Sequence, residues 1–168
     1  MIANRDCDSS DIKPISINNR LIMTLGLPRS GKSTWAREQG FPVVCLDAIR
    51  LAKTGSRWWG PIEHEIWATA RTMVRSLFLA GHKTIIVDAT FLIKEHREYF
   101  ISDIDIQWDR WMQIINTDID ICENRARDTF PELVPIIQWF NNHRELVHNE
   151  DIKLYGIIKN GEVVCSLA

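Results

Sequence analysis

The chain has 168 residues, of which 45% are hydrophobic and 25% charged, and its net charge is −2. That length and balance fit one globular domain with its own core, and they exclude both a disordered chain and a strongly basic nucleic-acid coat protein. No apolar run approaches the roughly 18–20 residues that span a bilayer, no signal-peptide pattern opens the chain, and Cys7, Cys45, Cys122 and Cys165 are scattered without a C-x-x-C pair, so a reducing cytoplasm without membrane attachment is expected.

Residues 1–19 are rich in Asp, Ser and Asn and predict a flexible leader or a short extra strand around Ile12 to Ile17, ahead of a single domain over 20–168. Leu21 to Leu25 reads as a buried strand, followed by a glycine-rich loop and a helix from Lys32 to Gln39 that Gly40 and Pro42 end. Val43 to Leu46 predicts a second strand, with Asp47 at its end and Arg50 on a short helix. Gly60-Pro61 opens a long helix whose apolar residues Ile62, Ile66, Ala70, Met73, Val74, Leu77 and Phe78 fall at helical spacing, with Gly81 as its stop. Thr84 to Val87 predicts a third strand ending in Asp88, Lys94 to Ile101 a helix, and Trp111 to Ile115 a fourth strand. Helices are expected over Asp118 to Asp128 and Val134 to His148, then a hairpin over Leu154 to Val164 turning at Asn160-Gly161. Alternating strands and helices imply an α/β fold, a mainly parallel sheet covered on both faces, with ligands at the C-terminal strand ends.

Gly26 to Thr34 reads GLPRSGKST directly after the first strand. The spacing G-x-x-x-x-G-K-S suits a triphosphate, because glycines let backbone N–H groups curl around the anion, a lysine reaches the β- and γ-phosphates, and a hydroxyl ligates Mg²⁺. The ATP-binding loop is therefore Gly26, Leu27, Pro28, Arg29, Ser30, Gly31, Lys32, Ser33 and Thr34, with Ser33 as a metal ligand. A kinase also needs a group to take the proton of the attacking hydroxyl. Asp47 is the candidate base, with Arg50 on the same side of one helical turn; the alternative for Asp47 is an N-cap of that helix.

The run GKSTWARE from Gly31 to Glu38, with Asp47-Ala48-Ile49-Arg50, resembles the kinase module of bacteriophage and bacterial polynucleotide 5′-kinases over most of Leu21 to His148. The resemblance implies that Asp47 is the general base and that Arg50 holds the phosphate beside the acceptor hydroxyl. Val87-Asp88-Ala89-Thr90 resembles the third-strand motif of that family, which implies acceptor-side roles for Asp88 and Thr90 and a water-mediated Mg²⁺ role for Asp88. The family usually places asparagine after that threonine, where Phe91 stands here. Ile121 to Arg127 resembles its lid, which implies that Arg125 closes over the ATP phosphates. A second lid arginine commonly follows four residues later; Thr129 occupies that position, leaving Arg127 as the substitute, and Arg29 replaces a common glycine of the loop.

These residues lead to an ATP- and Mg²⁺-dependent kinase acting on a hydroxyl of DNA or RNA, first a polynucleotide 5′-hydroxyl. The alternatives are a hydroxyl on a modified base such as hydroxymethyluracil, a small metabolite or nucleotide, and a non-catalytic ATP-binding switch. Between Arg50 and Lys83 the bases Arg50, Lys53, Arg57, Arg71, Arg75 and Lys83 face only Glu63 and Glu65, which suits a polyanion or a solvated helix face. Trp58 and Trp59 beside Arg57 are read first as packing residues and second as base-stacking platforms. The five histidines show no metal-ligand spacing.

Overall fold

Leu21, Ile22 and Met23 are fully buried, and a strand buried on both faces needs parallel neighbours and helices above and below it. The computed structural model describes residues 19–57, 60–102, 108–145, 147 and 152–166. In chain order its elements are β1 (Arg20–Leu25), α1 (Lys32–Glu38), β2 (Val43–Cys45), α2 (Leu46–Thr54), α3 (Glu63–Leu79), β3 (Thr84–Asp88) and α4 (Lys94–Ile101). They continue with β4 (Asp109–Asn116), α5 (Ile119–Arg127), a 3-10 turn (Pro131–Leu133), α6 (Val134–His143), β5 (Lys153–Lys159) and β6 (Glu162–Ser166). The strand expected around Ile12 to Ile17, the Trp58-Trp59 pair and His148 lie outside the described residues.

The six strands form one sheet in the order β2-β3-β1-β4-β5-β6, all parallel except the edge strand β6. Leu21, Met23, Ile85 and Val87 face one side and pack against Ile66, Ala70, Val74 and Phe78 of α3. Those four α3 residues recur every fourth position, so they form one stripe, and each large apolar side chain so buried contributes about 1.5–3 kcal/mol. Ile22 and Ile86 face the other side, against Ala36 of α1 and Tyr155 of β5. No helix among the described residues is long and apolar enough to cross a membrane.

Most element boundaries shift by one or two residues from the sequence expectation, and some of the differences have a visible cause. Leu46 begins α2 instead of ending β2, which makes Cys45 the cap and places Asp47 inside the first helical turn. Helix α6 stops at His143, because the next residues turn extended and the Glu145 amide donates to the Leu92 carbonyl at 2.8 Å. The hairpin is one residue longer at its start and two at its end, and Asn160 (φ 51°) and Gly161 (φ 93°) both adopt the left-handed conformation that a two-residue turn of this kind requires.

β1 lies between β3 and β4, so successive connections leave it in opposite directions and open a crevice at its C-terminal end. The β3–α4 turn that walls this crevice is held by Arg97. Its side chain is fully buried and donates from Nη1 to the Phe91 carbonyl at 2.8 Å. Phe91 has φ 44°, a left-handed conformation that disfavours a bulky residue by about 1 kcal/mol or more. Truncating Arg97→Ala should therefore lower unfolding free energy by about 2–5 kcal/mol in urea titration, as loss of a long buried side chain does. Arg97→Met, which keeps the packing without the donor, should lie between the two.

Candidate active site

The turn after β1 is stitched to both neighbouring strand ends. The Gly26 amide donates to the Thr90 carbonyl beyond β3 at 3.2 Å, and Thr117 Oγ1 beyond β4 donates to the Ser30 carbonyl at 2.8 Å. A Cβ at Gly26 would lie 2.4 Å from the Ile115 carbonyl oxygen, so no other residue fits there without moving β4. Gly31 caps α1 with φ 107°, a conformation glycine adopts without a steric penalty. The Lys32 side chain is buried and its Nζ donates to the Leu27 carbonyl at 2.7 Å. Burial lowers its pKa, and Asp88 and Asp47 oppose that shift, so the two carboxylates favour the charged form that an anion needs.

A cleft of about 1220 Å³ brings Pro28 to Thr34 together with Asp47, Arg50, Asp88, Thr90 and Arg125. This volume exceeds the roughly 300–1,000 Å³ of a single small-molecule site and leaves room for a second substrate beside a nucleotide. Gly26 and Leu27 build the loop from below and face a separate, smaller cavity. The Ser33 hydroxyl and the Asp88 carboxylate line the same cleft, oxygen donors of the kind Mg²⁺ takes alongside phosphate and water. Asp88 is held by its strand, whose exit is braced by Thr24: Thr24 Oγ1 donates to the Ala89 carbonyl at 2.9 Å and accepts from the Ala89 amide at 3.2 Å. Burial, with Asp88 next, pushes the neighbouring Cys45 thiol up to about 11, so it stays protonated beside the carboxylates.

Cys45 occupies the N-cap of α2, so Asp47 stands at the second helical position and not at the cap. Its carboxylate accepts from Arg50 Nη1 at 2.5 Å. Although 59% of its side chain is exposed, it opens into the walled cleft, and desolvation there raises its pKa above the usual carboxylate range against the pull of Arg50. Arg50 lines the same cleft and is held from two sides. Its side chain is only 5% exposed, and Nε and Nη2 grip both oxygens of Glu63 on α3 at 2.7 and 2.9 Å. The guanidinium is thus engaged by both Glu63 and Asp47. Glu63 had no signal in the sequence, since it comes from a different helix 13 residues later. Trp67, also unassigned from sequence, lines this wall and meets Phe91 and Phe100 edge to face. Arg57 lines the cleft too, whereas Arg71 is turned to the Ser102 carbonyl and the Tyr99 ring.

Opposite this wall, Arg125 of α5 donates from Nη1 to the Arg29 carbonyl at 3.0 Å. Arg127 does not join the site. It donates to Asn124 Oδ1 at 2.7 Å and pairs with Glu123, which Gln138 also holds at 2.9 Å, so its charge is neutralised outside the cleft.

A family model described as an AAA domain matches residues 21–127, which span β1, the phosphate loop and the helix bearing Arg125. The chain belongs to this family. Its fold is shared by a sugar kinase from Janibacter sp. HTCC2649 at 16% identity and TM-score 0.60, over 84% of this chain and 86% of that one. The Mycobacterium tuberculosis APS kinase CysC, solved with AMPPNP and APS, aligns at 18% identity and TM-score 0.56, over 84% and 88%. A chain of the Pnkp1/Rnl/Hen1 complex aligns at 24% identity and TM-score 0.57, over 64% of this chain and 39% of that one. No curated protein sequence matches. The fold is the one these kinases share.

The shift on Asp47 has two consequences of opposite sign. Folded Asp47 keeps its proton at pH values where the unfolded chain has lost it, so the group's contribution to stability falls as pH rises from the ordinary carboxylate pKa through the raised one. Asp47→Asn should therefore be at least as stable as the parent at neutral pH in urea titration. It should also lower kcat by about 10²-fold or more and remove the acid limb of the pH–rate profile, since a general base must be deprotonated to act.

Proposed function

We propose that the chain transfers the γ-phosphoryl group of ATP to a hydroxyl of a nucleic acid, first a polynucleotide 5′-hydroxyl. The observation that carries this reading is the single cleft in which a phosphate loop faces Asp47, a carboxylate of raised pKa, across enough space for two substrates. The AAA-domain membership and the kinase fold support phosphoryl transfer, and the cation Arg57 on the acceptor wall supports an acceptor that carries phosphate.

In the reaction the acceptor oxygen forms a bond to the γ-phosphorus as the bond to the β–γ bridging oxygen breaks, and ADP leaves. Asp47 takes the hydroxyl proton. Lys32 and the loop amides hold the β- and γ-oxygens, and Arg125 balances charge on the transferring group. Ser33 and Asp88 would hold Mg²⁺, which supplies neutralisation between the phosphates when bound. Arg50, tied to Glu63, orients Asp47.

That tie also favours a second reading, a small hydroxylated metabolite. With Arg50 neutralised by Glu63 and Arg71 directed elsewhere, the acceptor wall carries less open positive charge than the basic run suggested. A transfer screen with radiolabelled ATP decides, using a 5′-hydroxyl oligonucleotide, a hydroxymethyluracil-containing duplex with phosphorylated ends, and free nucleosides and sugars. Label on the oligonucleotide supports the leading assignment, label only on the duplex moves the acceptor to a base hydroxyl, and label only on small molecules discards nucleic acid.

Lys32→Ala should abolish transfer in every case while the circular dichroism spectrum stays unchanged; undiminished turnover in that folded variant would refute the phosphate-loop assignment. On an oligonucleotide acceptor, Arg57→Ala should reduce the log–log salt slope of acceptor binding by about 0.7, the value of one phosphate contact on a single strand. An unchanged slope would remove Arg57 from the acceptor path.

A further inference from the structure

The phosphate loop and the lid helix are fastened to each other by one residue whose backbone is strained. Arg29 has φ 67°, in the left-handed region where glycine would sit without a steric penalty. Its side chain reaches across the cleft mouth, donating from Nη2 to Thr129 Oγ1 and lying 5.1 Å over the Phe130 ring. Thr129 Oγ1 in turn donates to the Arg125 carbonyl at 2.9 Å, and Arg125 Nη1 returns to the Arg29 carbonyl at 3.0 Å. The contacts close a circuit: the Arg29 side chain holds the end of α5, and the Arg29 main chain holds the Arg125 guanidinium. Arg127, the other cation of α5, is engaged by Glu123 and Asn124 and takes no part.

We propose that Arg29 is a positioning residue that latches α5 onto the phosphate loop and sets Arg125 over the transferring phosphoryl group. The proposal rests on the kinase reading of this cleft but not on the identity of the acceptor. Two hydrogen bonds and a cation–π contact join elements 100 residues apart in sequence, and each acts on the placement of Arg125. Arg29 lines the cleft beside Arg125 without being needed to touch the substrate. Closure of this kind completes the catalytic group by setting Arg125 in place, so loosening it should reduce the rate of the chemical step more than the affinity for ATP.

The test compares the full-length parent with Arg29→Gly, Arg29→Lys and Arg125→Ala. Hydrogen exchange is followed over residues 119–130 with Mg²⁺ and AMPPNP present. Turnover is read as ATP hydrolysis by water, which needs no identified acceptor. Arg29→Gly relieves the backbone, so its thermal midpoint should match or exceed that of the parent. Its α5 amides should nevertheless exchange about tenfold faster. Its kcat should fall about tenfold, with KM for ATP within about threefold of the parent. Arg29→Lys, still a cation over Phe130, should recover most of the protection and the rate.

Exchange and kcat both unchanged in Arg29→Gly, with Arg125→Ala impaired, would overturn the latch while leaving the phosphotransfer assignment in place. A fall in kcat accompanied by lost thermal stability and no rescue by lysine would also overturn it, in favour of a purely structural contact. Tenfold faster exchange and slower hydrolysis, in a protein whose parent labels no nucleic acid, would support the latch and remove only the proposed acceptor.

Discussion

The main chain at Gly26 passes so close to β4 that a Cβ there would lie 2.4 Å from the Ile115 carbonyl oxygen. Only at that separation can the strand that pairs with both β3 and β4 turn directly into a loop whose amide reaches the Thr90 carbonyl. The same stitch brings three strand ends to one place. Asp88 ends β3, Thr117 follows β4 and carries the Ser30 carbonyl, and α5 starts immediately afterwards. β4 is thereby joined to the loop through Thr117, and α5 returns to it through the bond from Arg125 to the Arg29 carbonyl. The site is therefore a consequence of sheet packing as much as of the residues that line it.

Charge in the cleft is arranged in opposing pairs. Lys32 is buried yet faced by Asp88 and Asp47, while Arg50 is buried yet gripped by Glu63 on both of its oxygens. An arginine beside an otherwise unopposed Asp47 would hold the carboxylate low and make it a poor base, because the proton it must accept would bind weakly. Burial of Asp47, with Asp88 adding to it, acts against that pull. Desolvation then dominates and carries Asp47 upward, which is the direction a general base working near neutrality requires. The pair also ties α2 to α3, so the arginine that holds Asp47 is itself held by two helices instead of by a loop.

Legibility in the sequence followed the distance along the chain. The loop from Gly26 to Thr34 is contiguous, and Asp47 and Arg50 are three apart on one turn, so periodicity and spacing located them without tertiary information. The strands and the Asn160-Gly161 turn were readable for the same reason. Glu63 was hidden because its partner lies on another helix, and no spacing rule joins an acid to an arginine 13 residues away across a turn. Arg125 and Arg127 have equal standing as charged residues on one helix, and only the positions of Glu123 and Gln138 show that Arg127 is turned outward. Helix α6 was overextended because its pattern continues past His143, whereas the backbone is diverted there by the Leu92 carbonyl.

The two halves of the cleft answer to different parts of the chain. The phosphate half is one uninterrupted unit, β1, loop and α1, whose geometry is fixed by backbone contacts that few side chains can alter. The acceptor half is assembled from α2, α3 and the β3–α4 turn, where Arg50, Glu63, Trp67 and Phe91 meet through side chains. On the proposed kinase reading, the donor side follows from the fold, and the acceptor side from a few residues on one wall. The buried tie between Arg50 and Glu63 matters most there: it determines how much positive charge that wall presents, and so whether a phosphate-bearing acceptor or a neutral hydroxyl compound fits against Asp47.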